Sequence, residues 1–553
     1  MRRDYLLVFG LAILFFFPFL GAVHLFDQYE VNSAECAREM LVTGEWVRPQ
    51  IGFQPYWDSP PMFIWSQAIS MQVFGVNEFA ARFPNAICGL ITLLLVFRLG
   101  SRLHDRMFAW IWVLAWLGSL LPHFYFRSGM IDPWFNLLVF CGLYGFIEFR
   151  WQFLTAKAPA TFWQKYKYMI VGGGLLGMAI MTMGFMAYVI VMLVLGLYWA
   201  RYRFRGKGYL KHLALFTAAA WAIALVWIGI GAALHGADFI RHFTNSQIRH
   251  FSISGDHASG FWGNQALILL LGCFPASVFA LPNLWGDKQS TDELLESNTL
   301  AACMRSDLVT WMQLLFWVGF LLISLTRSDA VHYSSLCFFP LTYLGSVTIW
   351  RAVRWDVQPR ITGYLLPVIG VFWGLVALFL PSLERQLEFA GRFFAKDVFT
   401  LAAKASGIEW GVAQMAPGLI MAAASVAGWY YWKNNRPWMS AQAAFSGGAL
   451  FTALSSLFIF CQIEEHTQRA AIEFYESRCD QECHITPVGF KSYAPFFYAR
   501  QKPGAEPTRV FFVARTSDLC GLPQTPGCRE LYRKEGFVFF ECLSVPSVLP
   551  AGE

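Results

Sequence analysis

Three carboxylates lie within nine residues in the stretch LFDQYEVNSAECAREM, which directly follows an apolar run. Asp27, Glu30 and Glu35 are of the residue type that activates a hydroxyl group, orients an acceptor or binds a cation. The alternative interpretation is a solvated polar linker at the point where the chain leaves a membrane. The other polar clusters of the chain decide between the two.

Three further polar clusters follow apolar runs. HFYFRSGMID contains Arg127 and Asp132, ISGDHASGFWG contains Asp256 and His257, and TRSDAVHY contains Arg327, Asp329, His332 and Tyr333. Each has a simpler explanation, since Arg127 can be an interfacial anchor and Asp256–His257 a surface turn. Ionisable groups at membrane depth are costly, so four such clusters on one side of a membrane domain predict a polar cavity that opens there.

The elements that position these clusters are predicted to be membrane spans. The chain has 553 residues, of which 56% are hydrophobic and 14% charged, and its mean hydropathy is +0.44. A soluble protein of this length needs more charge to cover its surface, so the composition predicts a polytopic α-helical membrane protein. The basic residues form short clusters between apolar runs, which is typical of topology signals and argues against nucleic-acid binding.

Hydropathy predicts about 13 transmembrane helices. They lie near residues 5–24, 82–100, 107–123, 131–149, 168–183, 186–200, 212–234, 263–283, 310–326, 331–350, 361–381, 414–432 and 442–461. The distribution of Lys and Arg places the N-terminus in the cytoplasm and the polar clusters outside. The predicted domains are a membrane domain over residues 1–461, with a first external loop at about 25–81, and an external domain over residues 462–553. Two amphipathic segments of the loop, Ala34–Val42 and Met62–Phe74, are predicted to be interfacial helices.

The C-terminal tail alternates short apolar stretches with the helical pattern AAIEFYES, which predicts a small α/β domain. It contains five of the 12 cysteines, namely Cys479, Cys483, Cys520, Cys528 and Cys542. In an oxidising compartment such spacing favours disulfides, of which Cys520–Cys528 is the first candidate and Cys479–Cys483 the second. Cys542 would then pair elsewhere or stay free. A zinc site at Cys479 and Cys483 is the alternative.

The stretches YEVNSAECAREM, YWDSPP, NEFAARFP, FRSGMID and HYSSLCFFP occur in this order along the chain. In them the sequence resembles the polyprenyl-phosphate-dependent glycosyltransferases of the C-type (GT-C) membrane fold, which include the lipid A aminoarabinose transferases and the protein mannosyltransferases. The resemblance implies the GT-C fold, a bacterial inner (plasma) membrane location with a periplasmic C-terminal domain, and a polyprenyl-phosphate ligand. It also implies transfer of a sugar from that carrier, for which a carboxylate activates the acceptor and cations hold the departing phosphate.

The residues that carry this chemistry in the family are replaced here. Glu30, Ala34, Glu35 and Arg38–Met40 match the family pattern D-E-x-x-x-A-E-x-x-R-E-M, but its leading catalytic Asp is Tyr29. A Tyr side chain has a pKa near 10 and stays neutral where a carboxyl is ionised. Three lysines and one acid of the later family patterns are also replaced, by Ser59, Met183, Asp329 and, for the acid, the shorter Asp58.

The resemblance leaves a reduced set of candidate site residues. The catalytic candidates are Asp27, Glu30 and Asp132. The lipid-phosphate candidates are Arg38, Arg82, Arg127, Arg327, Tyr56 and Tyr333. A divalent metal site at Asp58 and His257 is expected to be weak or absent, and no other cofactor is expected.

Two hypotheses follow from the resemblance. In the first, the chain is a non-catalytic membrane subunit that binds a lipid or takes part in a membrane protein complex. In the second, it is an active, divergent glycosyltransferase in which Asp27 or Glu30 replaces the missing acid and the remaining arginines hold the phosphate. A transporter is disfavoured because the sequence has no inverted repeat of broken helices.

Overall fold

The computed structural model describes residues 2–27, 29–155, 161–201, 209–251, 263–286, 300–326, 331–383, 412–479, 481, 483–501, 509–516, 519 and 527–542. The first helices are α1 (Arg2–Phe16), α2 (Val31–Thr43), α3 (Met62–Phe74), α4 (Glu78–Leu103), α5 (Arg106–Gly118), α6 (Leu120–Tyr125), α7 (Asp132–Thr155), α8 (Phe162–Met183), α9 (Met186–Arg201), α10 (Tyr209–His235) and α11 (Ala237–Phe251). They are followed by α12 (Asn264–Gly272), α13 (Ala276–Ala280), α14 (Leu300–Thr326), α15 (Phe338–Trp355), α16 (Arg360–Leu383), α17 (Ala416–Lys433), α18 (Pro437–Thr467), α19 (Arg469–Glu476) and α20 (Ala494–Tyr498).

Several helices of the described residues are long and apolar enough to cross a membrane. Five pass by length and composition, namely Glu78–Leu103, Tyr209–His235, Ser334–Trp355, Arg360–Leu380 and Pro437–Glu465, and a bent pair of helices makes a sixth. The chain is therefore a multi-pass membrane protein. The figure of about 13 transmembrane helices stays a prediction.

The predicted transmembrane helix at residues 263–283 is broken in the structure. The helical segments Asn264–Gly272 and Ala276–Asn283 meet at an angle of 109°. Pro275 lies at the break, and a proline has no N–H group with which to continue a helix. The span predicted at these residues therefore consists of two helical segments, which together are long and apolar enough to cross a membrane.

A close approach of two helices fixes the position of α18, the last helix before the C-terminal domain. A Cβ atom added at Gly118 in α5 would lie 2.2 Å from the carbonyl oxygen of Phe445 in α18. Only glycine allows this separation, and small residues at helix crossings are typical of membrane bundles. The contact holds α18 against α5.

The loop at about residues 25–81, which was predicted to be external, packs against the C-terminal domain. Helix α2 contains the predicted segment Ala34–Val42, and α3 has the predicted bounds Met62–Phe74. Ala37 and Ile64 are fully buried in a hydrophobic cluster that also contains Phe539 of the C-terminal domain. The amphipathic faces predicted to lie on the membrane are thus covered in part by protein.

The C-terminal domain contains a four-stranded sheet, as its alternating pattern predicted. Besides the short hairpin strands β1 (Gln50–Ile51) and β2 (Gln54–Pro55), the strands are β3 (Cys483–Val488), β4 (Arg509–Arg515), β5 (Cys528–Lys534) and β6 (Phe537–Cys542). The spatial order is β3-β4-β6-β5, with β3 and β4 parallel and the other pairs antiparallel. Helix α18 continues to Thr467, so the predicted domain boundary at residues 461 and 462 falls inside a helix.

A disulfide stabilises this domain, but the predicted pairing was wrong. Cys528 is bonded to Cys542, because the antiparallel pairing of β5 and β6 places these two residues directly opposite each other. Cross-strand neighbours of this kind have the short Cβ separation that a disulfide needs. Cys483 is a free thiol, so the second predicted pair, Cys479–Cys483, is not formed either. Cys520 lies outside the described residues.

Candidate functional site

Glu30 lies at the N-terminal end of α2 and is 2% exposed. Its Oε1 accepts hydrogen bonds from Arg82 Nε at 2.9 Å and from the backbone N–H of Gly129. Its Oε2 accepts from Arg82 Nη2 at 2.6 Å and from the backbone N–H of Phe26 at 2.9 Å. Burial raises the pKa of the Glu30 carboxyl, but Arg82 and the two backbone donors outweigh burial, so the pKa lies below its ordinary value.

Arg82 lies in the first turns of α4, which begins at an N-cap where the Asn77 side chain accepts from the N–H of Ala80. Its guanidinium is 5% exposed. Beyond the two bonds to Glu30, it donates to three backbone carbonyls, those of Leu20 at 2.8 Å, Val23 at 2.7 Å and His24 at 2.9 Å. A guanidinium has five N–H donors, and all five of them are used here.

Arg127 is also held by backbone carbonyls. Its Nη1 donates to the carbonyl of Phe15 at 2.6 Å and its Nη2 to that of Pro18 at 2.9 Å. Burial and the nearby charge of Arg82 lower the pKa of Arg127 to about 10, so the group stays positive at neutral pH. Glu30, Arg82 and Arg127 line one cavity of about 30 Å³, which has room for about one or two water molecules. The structure therefore brings these three predicted residues together.

Asp27 lies on the other side of the loop, towards the C-terminal domain. Its backbone N–H donates to Gln468 Oε1 at 3.4 Å, and its carboxylate interacts electrostatically with Arg515 and Tyr475 of that domain. Tyr29, at the position of the family Asp, is 49% exposed. Asp27 is not among the residues that line the cavity of Glu30.

Arg38 forms a second buried pair, with Glu35 one turn earlier in α2. Its Nε and Nη2 donate to the two carboxylate oxygens of Glu35 at 2.7 and 2.6 Å. Nη2 also donates to the carbonyl of Gln501 at 3.2 Å. Arg38 therefore links α2 to the C-terminal domain, and Tyr56 packs at the edge of the same hydrophobic cluster.

Helix α11 contacts the positions where the family has its later acid and lysine. Asp58 accepts from Ser246 Oγ at 3.1 Å, and the N–H of Phe185, two residues after Met183, donates to Gln247 Oε1 at 3.2 Å. Gln247 is 2% exposed. Sequence reasoning missed both α11 residues because they belong to no motif and lie far along the chain from their partners.

Asp132 is 2% exposed at the start of α7 and accepts from Ser335 Oγ at 2.9 Å. It belongs to a separate polar contact between α7 and the 3-10 helix Val331–Cys337. Tyr333 lies in that 3-10 helix, and its side chain is outside the described part of the chain, as are residues Arg327, Asp329, Asp256 and His257.

Another polar cluster was not predicted from the sequence. His24 Nδ1 lies 2.7 Å from Glu464 Oε1, and its Nε2 lies 3.7 Å from Glu476 Oε1. A carboxylate oxygen of Glu78 lies within 4.8 Å of ligand atoms of both His24 and Glu476. The only sequence signal was the position of His24 and Glu464 at the ends of apolar runs.

Comparison with known proteins gives a consistent set of similarities. Residues 6–245 match the family model described as dolichyl-phosphate-mannose-protein mannosyltransferase. The chain is 27% identical over 420 residues to the undecaprenyl phosphate-alpha-4-amino-4-deoxy-L-arabinose arabinosyl transferase of Photorhabdus laumondii. The matched region covers 73% of this chain and 67% of that protein. It is 28% identical over 453 residues to the protein of the same name from Erwinia tasmaniensis, with 76% of each chain covered. A third match, to transferase 2 of Proteus mirabilis, is 28% identical and spans 63% of that protein.

Solved structures show the same fold over the full length. The crystal structure of ArnT from Cupriavidus metallidurans bound to undecaprenyl phosphate superposes with a TM-score of 0.75, at 17% identity and with 100% of both chains covered. The apo form of that protein gives a TM-score of 0.74 at 16% identity. The resemblance inferred from the motifs is thus confirmed: the chain has the C-type fold of the polyprenyl-phosphate-dependent glycosyltransferases and resembles the aminoarabinose transferases and the protein mannosyltransferases.

Proposed function

We propose that this chain is a non-catalytic membrane subunit with a glycosyltransferase fold, which binds a polyprenyl phosphate or a phospholipid without transferring a sugar. The observation that carries the proposal is the hydrogen bonding of Arg82. All five of its N–H donors are used by Glu30 and by three backbone carbonyls. A guanidinium in this state has no donor left for a departing phosphate.

The acid candidates support the same proposal. Glu30 accepts four hydrogen bonds, and its pKa is held below the ordinary value. A general base works best when its pKa lies near the operating pH, so this carboxylate is a poor proton acceptor. Asp27 is directed towards the C-terminal domain, and the family position between them is Tyr29.

The replacement of the family lysines also supports a non-catalytic function. Ser59 and Met183 carry no charge, and Asp329 carries the opposite charge. A phosphate in a water-poor site needs cations to compensate its charge. Arg38 and Arg127 donate to internal partners, while Arg327, Tyr56 and Tyr333 remain as the proposed contacts of a bound lipid phosphate.

The lipid ligand and the location are proposed from the relatives. The ArnT structure from Cupriavidus metallidurans is bound to undecaprenyl phosphate, and the two relatives compared over the longest stretches are undecaprenyl phosphate-alpha-4-amino-4-deoxy-L-arabinose arabinosyl transferases. By similarity, the chain lies in a bacterial inner membrane, with its N-terminus in the cytoplasm and its C-terminal domain in the periplasm. The external face, including that domain, is the proposed surface for a protein partner.

A second candidate function is an active, divergent glycosyltransferase. It is favoured by the match of residues 6–245 to a mannosyltransferase family model. In this case Asp27 or Asp132 would act as the acid or base, and Asp58 with His257 would hold any metal.

One experiment separates the two functions. The full-length protein, purified in lipid nanodiscs, is incubated with sugar-loaded undecaprenyl phosphates and lipid acceptors, and binding and transfer are measured separately. The proposal predicts undecaprenyl phosphate binding without transfer in the wild type. Sugar transfer by the wild type that is lost in Asp27→Ala, with lipid binding unchanged, would establish the second function instead.

A further inference from the structure

The cluster around His24 joins parts of the chain that are distant in sequence. His24 follows the first apolar segment, Glu78 is the first residue of α4, Glu464 lies near the end of α18 and Glu476 ends α19. One nitrogen of His24 and one oxygen each of Glu78 and Glu476 lie within 4.8 Å of one another. The three groups thus converge from three separate elements.

The ring of His24 has a defined orientation. The buried Glu464 carboxylate, which is 3% exposed, binds Nδ1 at 2.7 Å. Because a carboxylate oxygen only accepts, Nδ1 donates to Glu464, and Nε2 faces Glu476. A carboxylate that orients a histidine in this way is typical of protein metal sites.

The distance between His24 and Glu476 also fits a shared cation. Nε2 and Oε1 are 3.7 Å apart, which is too long for a hydrogen bond. Two ligand atoms at about 2.1 Å from one tetrahedral zinc ion lie about 3.4 Å apart. A small movement of side chains at the protein surface would therefore allow both atoms to bind one ion.

Carboxylates outnumber the imidazole in this cluster and repel one another, although Arg469 also attracts Glu464 and Arg82 attracts Glu78. Three carboxylates surround one imidazole, while Arg469 pairs with Glu465 and Glu473, and Arg82 is used by Glu30. A bound cation would relieve the repulsion.

We propose that His24, Glu78 and Glu476 bind one divalent cation, with Glu464 orienting His24, and that this ion ties the first external loop to the C-terminal domain. One nitrogen and two carboxylate oxygens are a donor set that suits zinc. The site is separate from the Asp58 and His257 positions, and it does not depend on whether the chain transfers a sugar.

The test uses the full-length protein in nanodiscs, treated with a chelator and dialysed against zinc. Bound zinc is counted by elemental analysis, and its affinity is measured by competition with a fluorescent chelator. The expected result is one zinc per chain, with an affinity at least 10-fold weaker in Glu78→Gln and in Glu476→Gln. Zinc should also raise the thermal unfolding temperature of the wild type and not that of the double variant.

Two matched controls locate the ion. Glu473→Gln removes a carboxylate of the same helix that lies outside the ligand set, and Asp58→Asn removes the family-type position. Both should bind zinc as the wild type does. The proposal is overturned if the wild type binds less than about one fifth of an equivalent, if Glu78→Gln/Glu476→Gln binds zinc unchanged, or if only Asp58→Asn loses it.

Discussion

The strongest test of the site is to break the buried pair of Glu30 and Arg82. In Arg82→Met the Glu30 carboxylate stays buried without its cation, and the carbonyls of Leu20, Val23 and His24 lose their donors. Removing one partner of a buried ion pair costs about 3–5 kcal/mol, and each orphaned carbonyl adds about 1 kcal/mol where water cannot reach it. We therefore expect the free energy of unfolding to fall by at least about 4 kcal/mol.

The measurement is unfolding in mixed micelles, followed by tryptophan fluorescence. Glu30→Gln should cost about 3 kcal/mol, and the double variant should be less destabilised than the sum of the two by about 1–3 kcal/mol, because the second change removes an already unpaired group. The matched control is Arg102→Met in the same helix. Arg102 is 46% exposed beside Glu148, and an exposed pair is worth about 1 kcal/mol or less.

A different result would assign Arg82 to lipid binding. If Arg82→Met unfolds like the wild type but no longer binds undecaprenyl phosphate, Arg82 is a ligand for the lipid phosphate. Its five internal hydrogen bonds would then be exchanged on binding, and the hydrogen bonding of Arg82 would no longer exclude a role in transferase activity.

Three other predictions follow from described contacts. The pKa of Glu30 in the folded protein lies below its unfolded value of about 4.3, so its ionised form contributes fully to stability above that value, and this contribution is lost as the pH falls below it. The free energies of unfolding of the wild type and of Glu30→Gln, measured between pH 3 and 7, should therefore converge at the acid end. Free energies that differ by the same amount at every pH would contradict this. Peptide mapping without reduction should recover Cys528 linked to Cys542. Replacing both residues with Ser should lower the free energy of unfolding of the C-terminal domain by about 3 kcal/mol, as expected for a closed loop of this length. An unchanged free energy of unfolding would show that the bond is dispensable. Arg38→Met should increase limited proteolysis at Gln501, because it removes the bond between α2 and the carbonyl of that residue; equal cleavage in both proteins would show that the hydrophobic cluster alone protects this position.

Local patterns were sufficient to predict some elements. The Met62–Phe74 helix was predicted with its observed bounds, since its composition and its Pro and Gly boundaries are all local signals. The bend between α12 and α13 was missed because hydropathy averages over Pro275. A disulfide in the C-terminal domain was predicted correctly, but its pairing was missed because sequence spacing favoured Cys520, whereas the cross-strand register of β5 and β6 selects Cys542.

In the candidate site, too, single residues could be predicted from local patterns, but their partners could not. Glu30 was singled out by its family pattern, but its partner Arg82 lies 52 residues later, and no local signal reveals which side chain a carboxylate will meet. His24 and Glu464 are 440 residues apart. Contacts of this kind depend on how the helices pack, which residue types and periodicity alone do not specify.

The docking of the first loop on the C-terminal domain has a consequence for biosynthesis. Leu25 and Ile64 bury their side chains in a cluster completed by Phe474 and Phe539, and the last of these is made more than 400 residues after the loop. At about 5–20 residues per second, the ribosome needs roughly 20–100 s to synthesise the chain from the loop to the C-terminal residues of this cluster. During this interval the apolar faces of α2 and α3 lack this protein partner, and a ribosome that stalls before α19 leaves them without it. Nascent chains truncated before residue 469 should therefore be the main targets of membrane quality-control proteases.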